Sequence, residues 1–416
     1  MWEAIRSNKR KSFWLIVLMA LVLAALGAAI GSYLFTQNPE DGIFVGVLVA
    51  MIVWIIMLAV SFSSGDRILL ATAGAREIKH DDAPQLYNIV EEMKIASGLP
   101  KMPRVFIIDN SVPNAFAVGI KPDRAAVAVT TGLMSRLNRD ELQGVIAHEI
   151  AHISNRDTYF MTLAGVTVGA VIILADLFIR GMFYSSLSRG RRSSRDSGQL
   201  QLIIMVISII VAILAPILTQ LLYFACSRQR EYLADAGSAQ FTRYPAGLAS
   251  ALEKISQNQS ENFTKSRTLA PMYIVNPLAA TGKSNNLFST HPSTEDRIRI
   301  LRGMTSGSSL KAYEKAYQGI HGGSGILGKS TLQDSKDQGI RSAQTDKHEA
   351  KKSMRDVKDI LHKAAGYGLL TCSCGVKMKI PKETDYSKVK CPRCGTVHGV
   401  PMEFLSAAAI AMSQKK

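Results

Sequence analysis

Long apolar stretches dominate the hydropathy pattern of the chain. Residues 13–35 and 43–62 contain no charged side chain, and each is long enough for a membrane-spanning helix, which requires about 20 residues. The polar loop 36–42 joins them as a hairpin, and this close spacing argues against a cleaved signal peptide. Residues 158–179 and 200–226 are also long enough, although the first includes Asp176 and the second Pro216. The pattern predicts about four transmembrane helices in a multi-pass membrane protein.

Between the two hydrophobic pairs, the chain shows short strand patterns followed by a helical one. Residues 104–109, 115–119 and 125–130 are apolar runs separated by turns that contain Pro and Gly, which predicts a small sheet. Asn138 followed by Glu141 is a capping-box pattern, and Leu142, Val145 and Ile146 begin an apolar helical face. The sequence therefore predicts an α+β fold that is mainly helical.

The capped helix carries the first candidate for chemistry. His148 and His152 lie one helical turn apart, so both imidazoles project from one face and can bind the same zinc ion. Glu149 lies between them, beside the position of a metal-activated water. The alternative is a surface helix that carries two histidines and an acid by chance.

A catalytic zinc site needs a third protein ligand and leaves one position for water. Glu231 and Asp235 have the same one-turn spacing in a second helical stretch. Glu231 is the candidate third ligand, and Asp235 is a candidate acceptor that fixes the tautomer of a ligand histidine. The alternative is a solvated helix face on which these acids pair with Arg228 and Arg230.

Four segments carry a resemblance to a known family: HEIAHISNRD at 148–157, SRQREYLAD at 227–235, PNAFAVG at 113–119 and THPSTEDRI at 290–298. Together they resemble the signature blocks of the M48 metallopeptidases, specifically the HtpX-like membrane proteases, over residues 1–304. The resemblance implies a gluzincin-type zinc endopeptidase in which His148, His152 and Glu231 bind the catalytic zinc and Glu149 is the catalytic base. It also implies an active-site role for His291 and a function in membrane-protein quality control.

The chemistry of such a site assigns a task to each polar group. Zinc activates a water, Glu149 takes its proton and passes it to the leaving amine, and His291 can donate a hydrogen bond to the developing oxyanion. An exposed edge of the predicted sheet can pair with an extended polypeptide substrate. The substrate-binding candidates there are Asn114, Ala115, Phe116 and Ala117, and the alternative is an ordinary structural strand.

Four of the five cysteines form a second metal-binding pattern. Cys372 and Cys374 are paired, Cys391 and Cys394 follow, and a glycine comes after each pair. The spacing predicts a zinc ribbon in which four thiolates hold one structural Zn²⁺, in addition to the catalytic Zn²⁺. Disulfides or a redox pair are the alternatives, disfavoured in a reducing cytosol.

These patterns divide the chain into segments. Residues 1–62 are predicted to form the transmembrane hairpin, and 63–304 the metalloprotease domain, which the hydrophobic hairpin 158–226 is predicted to interrupt. Residues 305–365 are rich in Gly, Ser, Lys and Asp and predict a flexible linker with a short helix, followed by the ribbon at 366–404 and a tail at 405–416. The simplest HtpX-like pattern ends before the ribbon, so the resemblance assigns no role to it.

The basic residues determine the predicted orientation and partners. Several basic residues precede the first apolar stretch, whereas Glu40 and Asp41 follow it, which predicts a cytoplasmic amino terminus. Two crossings return the chain to the same side, so the active site is also predicted to face the cytoplasm, at a bacterial inner membrane. The basic loop 180–199 runs against this arrangement if the second hairpin spans fully. The net charge of +16 is spread over juxtamembrane segments and the tail, which favours contact with the lipid bilayer over nucleic acid.

Two other functions fit parts of the pattern. A CaaX-type prenyl-protein endopeptidase shares the metal motifs, but it is expected to have more membrane spans than this chain offers. A membrane-tethered zinc-ribbon adaptor would need no base beside the metal, so Glu149 argues against it. The best interpretation is a membrane zinc endopeptidase that hydrolyses membrane or misfolded proteins.

Overall fold

The computed structural model describes residues 2–35, 38–162, 228–257, 292–323, 325–333, 335–343 and 354–406, together with single positions between 171 and 274. The amino-terminal helices α1 (Trp2–Leu34) and α2 (Pro39–Thr72) form an antiparallel hairpin. A Cβ on Gly31 would lie 1.9 Å from the carbonyl oxygen of Gly42, and a Cβ on Gly27 would lie 2.4 Å from that of Gly46. Glycines spaced by four residues on both helices therefore let the two backbones touch, as in membrane helix pairs.

Helix α2 has the composition of a membrane span. Within the described ranges it alone is both long and apolar enough to cross a bilayer, with a mean hydropathy of 3.1 over an 18-residue window of which 11% is buried. Residues Ile16–Ser32 of α1 form a shorter apolar segment. Most of the predicted second hairpin, 158–226, lies outside the described residues, so the structure supports one clear span among the predicted four.

A four-stranded sheet follows the hairpin, with the order β1-β2-β4-β3. Its strands are β1 (Ala75–Glu77), β2 (Arg104–Ile108), β3 (Ala115–Val118) and β4 (Ala126–Thr130). The β2–β4 pair is parallel and the other two pairs are antiparallel. Three of these strands match the predicted ones, whereas β1 is too short and polar to give a strand pattern. The sheet is buried on both faces: Val127 and Val129 face the helical core, while Phe106 and Phe116 pack towards the membrane hairpin.

Six helices of the described chain share a core with the inner face of the sheet. They are α3 (Pro84–Ser97), α4 (Thr131–Arg136), α5 (Arg139–Ser154), α6 (Arg228–Thr242), α7 (Pro245–Ser256) and α8 (Thr294–Gly303). Helix α5 lies at the centre of the core, and fourteen of its residues, from Asp140 to Ile153, are buried. Gly144 lets α7 approach closely, because a Cβ there would lie 2.7 Å from the backbone nitrogen of Leu248. A buried central helix flanked by others fixes the position of its side chains tightly.

The chain beyond residue 304 differs from the predicted flexible linker. Helix α9 (Leu310–His321) packs on the helical core with Tyr313 fully buried, and a short α10 (Lys329–Gln333) follows. Arg341 then pairs with Asp140 of α5 at 2.7 Å. Although this region is polar in overall composition, its helix has a periodic apolar face that is centred on Tyr313. The packing of that face on the core stabilises the helix more than its intrinsic helix propensity does.

The predicted ribbon region forms two hairpins preceded by a helix. The helix α11 (Met354–Ala364) buries Val357 and Leu361 in the same helical core, at the position where the sequence predicts a short helix near the end of the linker. The hairpins are β5 (Gly368–Thr371) with β6 (Lys377–Ile380), and β7 (Lys388–Lys390) with β8 (Val397–Gly399). The small apolar cluster between them buries little beyond Ile380, Val400 and Leu405.

Candidate metal centre

Helix α5 begins with the capping box that the sequence predicts. The Asn138 side chain accepts a hydrogen bond from the Glu141 backbone N–H, and the Glu141 carboxylate accepts one from the Asn138 N–H. This cap fixes the start of a helix that carries His148 and His152 on its third and fourth turns. The two Nε2 atoms lie 3.2 Å apart, so both rings point to the same space.

Helix α6 brings Glu231 to the two histidines. Its Oε2 lies 3.5 Å from Nε2 of His148, and its Oε1 lies 3.5 Å from Nε2 of His152. One donor atom from each of the three side chains falls within 4.8 Å of the others, and all three side chains are buried. The alternative of a solvated helix face is therefore wrong for Glu231, which is 2% exposed.

The other nitrogen of each imidazole contacts a carboxylate. Asp235 Oδ1 lies 2.9 Å from Nδ1 of His148, and Asp157 Oδ2 lies 3.0 Å from Nδ1 of His152. A carboxylate at Nδ1 keeps the proton on that atom and leaves the Nε2 lone pair for a ligand bond. Two Nε2 lone pairs at 3.2 Å repel each other unless a cation or proton lies between them, so this arrangement fits a metal ion.

Arg297 of α8 holds Asp235 with two hydrogen bonds. Its Nε donates to Oδ2 at 2.8 Å and its Nη2 donates to Oδ1 at 2.7 Å, with both side chains buried. Burial disfavours the ionised form of Asp235, but Arg297 outweighs this effect and holds the pKa of the carboxyl below its usual range. This bidentate pair fixes the acid that orients His148.

The buried charges around the imidazoles suit a divalent cation. Four carboxylates and two guanidiniums are buried here: Glu149, Asp157, Glu231, Asp235, Arg230 and Arg297. With neutral imidazoles, these groups leave two uncompensated negative charges. Burial opposes protonation of the imidazoles, yet their carboxylate neighbours raise the pKa of both His148 and His152. The negative charge of these carboxylates, which favours a proton on each imidazole, also favours a bound Zn²⁺. Histidine nitrogen and carboxylate oxygen are among the ligands that zinc takes in proteins.

Glu149 completes the centre. Its side chain is 2% exposed, and burial raises the pKa of the carboxyl above its usual range. A carboxylate whose pKa lies nearer neutrality can both accept and release a proton during a reaction. Glu149 is not needed to complete the donor set, which leaves it available for chemistry.

Asp157 and Arg297 have functional positions that the sequence reasoning missed. Both lie within quoted segments, 148–157 and 290–298, but neither falls at a helical spacing from a ligand. The sequence signal for both was only that a charged residue lies within a segment that resembles the family. Arg230 is also buried, with its guanidinium carbon 3.7 Å from the Phe160 ring centre and its Nε 3.8 Å from Asp157. His291 lies outside the described residues, so its predicted role stays a prediction.

The predicted substrate strand is an edge strand, but its side chains are buried. Asn114, Ala115 and Phe116 are 0% exposed, and Ala117 is 4% exposed, because the sheet is covered on both faces. On the outer edge of β3, the backbone N–H of Ile274 donates to the carbonyl oxygen of Ala115 at 3.0 Å. The chain itself therefore occupies one of the backbone acceptors that a substrate strand would use.

The four ribbon cysteines form a second donor cluster. The sulfurs of Cys372 and Cys394 lie 3.4 Å apart and those of Cys374 and Cys391 lie 3.6 Å apart. A disulfide bond is about 2.05 Å long, so these sulfur pairs are not disulfide-bonded. All four sulfurs lie within 4.8 Å of one another. Hydrogen bonds with Thr396 lower the pKa of Cys394 to about 6. Four converging thiols with one already acidic fit a tetrahedral zinc site.

Positive backbone φ angles at two glycines shape the turns of this cluster. Gly375 has φ of 85° and Gly395 has φ of 76°, which side chains with a Cβ rarely adopt. Each glycine N–H donates back to the carbonyl oxygen of a cysteine, Gly375 to Cys372 and Gly395 to Cys391. The glycines that follow the cysteine pairs in the sequence thus close the turns that bring the sulfurs together.

Comparisons with known proteins match the site and most of the chain. Residues 80–305 match the model of peptidase family M48. A protease HtpX homolog of Dictyoglomus thermophilum is 46% identical over 76% of this chain and 97% of its own length. The corresponding protein of Lactobacillus helveticus is 40% identical over 73% of this chain and its full length. The crystal structure of S. mikatae Ste24p covers 72% of this chain and 67% of its own with 17% identity and a TM-score of 0.39.

Proposed function

Because the chain belongs to peptidase family M48, we propose that it is a membrane-bound zinc endopeptidase of the HtpX type. One observation carries this proposal: two imidazoles and a carboxylate from separate helices converge on one point, with a further buried carboxylate, Glu149, beside them. A purely structural zinc site has no use for this additional acid, which is not one of the three metal donors.

The proposed reaction assigns a task to each residue of the centre. His148, His152 and Glu231 hold the zinc ion, which supplies Lewis-acid activation of water when bound. Glu149 accepts a proton from the attacking water and gives it to the leaving amine. Asp235 and Asp157 hold the imidazoles in the tautomer that leaves Nε2 free for the metal. His291 would donate a hydrogen bond to the developing oxyanion, a contribution of about 3 kcal/mol where a single such donor has been removed.

The proposed substrates are extended segments of membrane or misfolded polypeptides. Strand β3 offers main-chain groups to such a segment, and main-chain recognition gives broad sequence preference. Antiparallel pairing directs the backbone N–H and C=O of Phe116 towards Ala128 of β4. The backbone N–H and C=O groups of Ala115 and Ala117 therefore face the outer edge of the sheet. Since Ile274 already bonds to Ala115, a substrate would pair at Ala117 or displace Ile274.

The proposed location is a bacterial inner membrane with the active site facing the cytoplasm. Helix α2 and the apolar part of α1 support the membrane contact, and the basic residues ahead of position 13 support the orientation. Four spans in total remain our proposal for the whole chain. Alignment with HtpX-named relatives over 97% or more of their length favours membrane-protein quality control over prenyl-protein processing.

The ribbon is proposed to hold a structural zinc that supplies most of its folding energy, because its apolar cluster is small. Its function is proposed to be a contact with substrate or with a regulatory protein. It is not expected to take part in peptide hydrolysis, because the cysteines belong to a separate cluster with its own donor set.

A zinc count separates the catalytic from the structural metal. The purified full-length protein is expected to contain two zinc ions per chain, and the Cys391→Ser, Cys394→Ser double variant one. The double variant is expected to keep its cleavage of casein, an unfolded substrate, because the catalytic donors are unchanged. Mass spectrometry of the metal content and a casein digestion assay measure both quantities. One zinc ion per parent chain that survives cysteine replacement would contradict the ribbon assignment, and no cleavage by the parent would contradict the peptidase proposal.

A further inference from the structure

A cavity of about 430 Å³ lies where the first membrane helix meets the segment after the metal-site helix. Its described lining residues are Phe13, Ile16, Ile120, Arg156 and Tyr159. The size falls in the range of ordinary ligand sites, which is about 300–1,000 Å³. Among these described residues, the polar side-chain groups are the Arg156 guanidinium and the Tyr159 hydroxyl.

The cavity lies at the expected boundary between hydrocarbon and headgroups. Phe13 begins the first apolar stretch and Phe62 ends the second, and the Phe62 ring centre is 6.1 Å from that of Tyr159. Phe13 and Trp14 are 59% and 63% exposed, although both are large apolar side chains. Trp and Tyr are enriched at the membrane–water interface, and Trp14 and Tyr159 lie where these apolar stretches begin and end.

Arg156 is the charged group of this cavity. It lies two residues after the end of α5, is half-buried, and has a φ of 63°, in the left-handed region. Among the described residues, the Arg156 side chain makes no hydrogen bond or ion pair. A guanidinium that lines an apolar cavity and has no counter-charge among the described residues can pair with an anionic ligand there.

We propose that this cavity binds one anionic phospholipid. The phosphate lies at the Arg156 guanidinium and the Tyr159 hydroxyl, and an acyl chain lies along Phe13 and Ile16. The lining suits both parts of a phospholipid, because Phe13 and Ile16 belong to the proposed membrane helix, whereas Arg156 follows the metal-site helix α5. The inference rests on the proposed membrane location and is independent of the peptidase reaction.

A peptide substrate fits this cavity less well. Beyond β3, the Gly119 backbone N–H donates to Oγ1 of Thr162 at 3.1 Å, so the helical residues 157–162 cover the end of the edge strand. A segment paired along β3 would meet that helix before it reached the cavity. A lipid in the bilayer needs no such path, because Phe13 and Ile16 belong to the membrane helix itself.

The lipid would lie next to the metal centre. Arg156 directly precedes Asp157, whose carboxylate contacts Nδ1 of His152. A phosphate on Arg156 would therefore order the backbone that carries this acid. The proposed lipid would thus contact the segment whose Asp157 orients the imidazole of His152.

Native mass spectrometry of the full-length protein in detergent tests the proposal, with phosphatidylglycerol and phosphatidylcholine as the probes. The parent is expected to bind one phosphatidylglycerol about tenfold more tightly than phosphatidylcholine, as one charge-assisted hydrogen bond allows. Arg156→Gln is expected to lose this preference. Arg67→Gln is the matched control, because Arg67 is an exposed arginine just past Phe62 that does not line the cavity.

A second variant keeps the test independent of charge and folding at Arg156. Ile16→Trp fills part of the cavity and is expected to weaken binding of both lipids at this site. Equal binding of the two lipids by the parent, or an unchanged preference in Arg156→Gln, would overturn the proposal. So would an Arg156→Gln protein that keeps lipid binding but loses cleavage of acidic peptides, which would make the cavity a substrate subsite. A parent protein that shows the lipid preference but cleaves no peptide would contradict the proposed function. The lipid inference would still stand in that case.

Discussion

Replacement of Glu149 by Gln is expected to lower the rate of casein cleavage by about 10²–10⁴-fold, the range that general acid–base catalysis contributes. The amide has nearly the same shape as the carboxylate but cannot accept the proton of the attacking water. Because Glu149 is not among the three converging donors, the variant should keep its catalytic zinc. A digestion assay together with a metal count measures both effects.

Glu253→Gln is the control for this variant, since it makes the same chemical change at a partly exposed pair with Arg302. It is expected to leave the cleavage rate unchanged. A Glu149→Gln protein that cleaves casein at the parental rate would contradict the assignment of Glu149 as the base. A variant that lost both zinc and activity would instead make Glu149 a metal ligand.

Replacement of Arg297 by Met is expected to lower the free energy of unfolding by about 3–5 kcal/mol, the effect of leaving one partner of a buried ion pair without its counter-charge. Arg297 and Asp235 are both 0% exposed, so water cannot solvate the remaining carboxylate. Thermal unfolding of the detergent-solubilised protein, followed by circular dichroism, measures the change.

The matched control lies on the same helix. Arg302→Met removes an exposed ion pair with Glu253, and exposed pairs contribute about 0–1 kcal/mol. The double variant Asp235→Asn, Arg297→Met removes both charges and should recover part of the lost stability. Equal destabilisation by Arg297→Met and Arg302→Met would show that the buried pair does not hold α6 and α8 together.

Local spacing predicted much of the site. The i, i+4 separations of His148 with His152, and of Glu231 with Asp235, determine which side chains share a helix face. The capping box at Asn138 fixed the start of the first helix in the same way. The convergence of Glu231 on the histidines was inferred from the requirement for a third ligand and from the family resemblance.

Contacts between distant segments were less accessible from the sequence. Asp157 reaches His152 after the helix has ended, and Arg297 reaches Asp235 from a helix 62 residues further along the chain. Neither has a periodic relationship with its partner. The same limit applies to Leu310–His321, whose polar composition indicated a linker although Tyr313 packs into the core. The predicted exposed edge of β3 is partly occupied by Ile274 for the same reason.

The most direct measurement is an anomalous difference map at the zinc absorption edge from crystals of the full-length Glu149→Gln protein. A peak is expected about 2.0–2.2 Å from Nε2 of His148, Nε2 of His152 and a carboxylate oxygen of Glu231. A second peak among the four cysteines would verify that zinc was retained during purification. A peak at the cysteines with none between the two imidazoles and Glu231 would contradict the assignment of this centre as the catalytic zinc site.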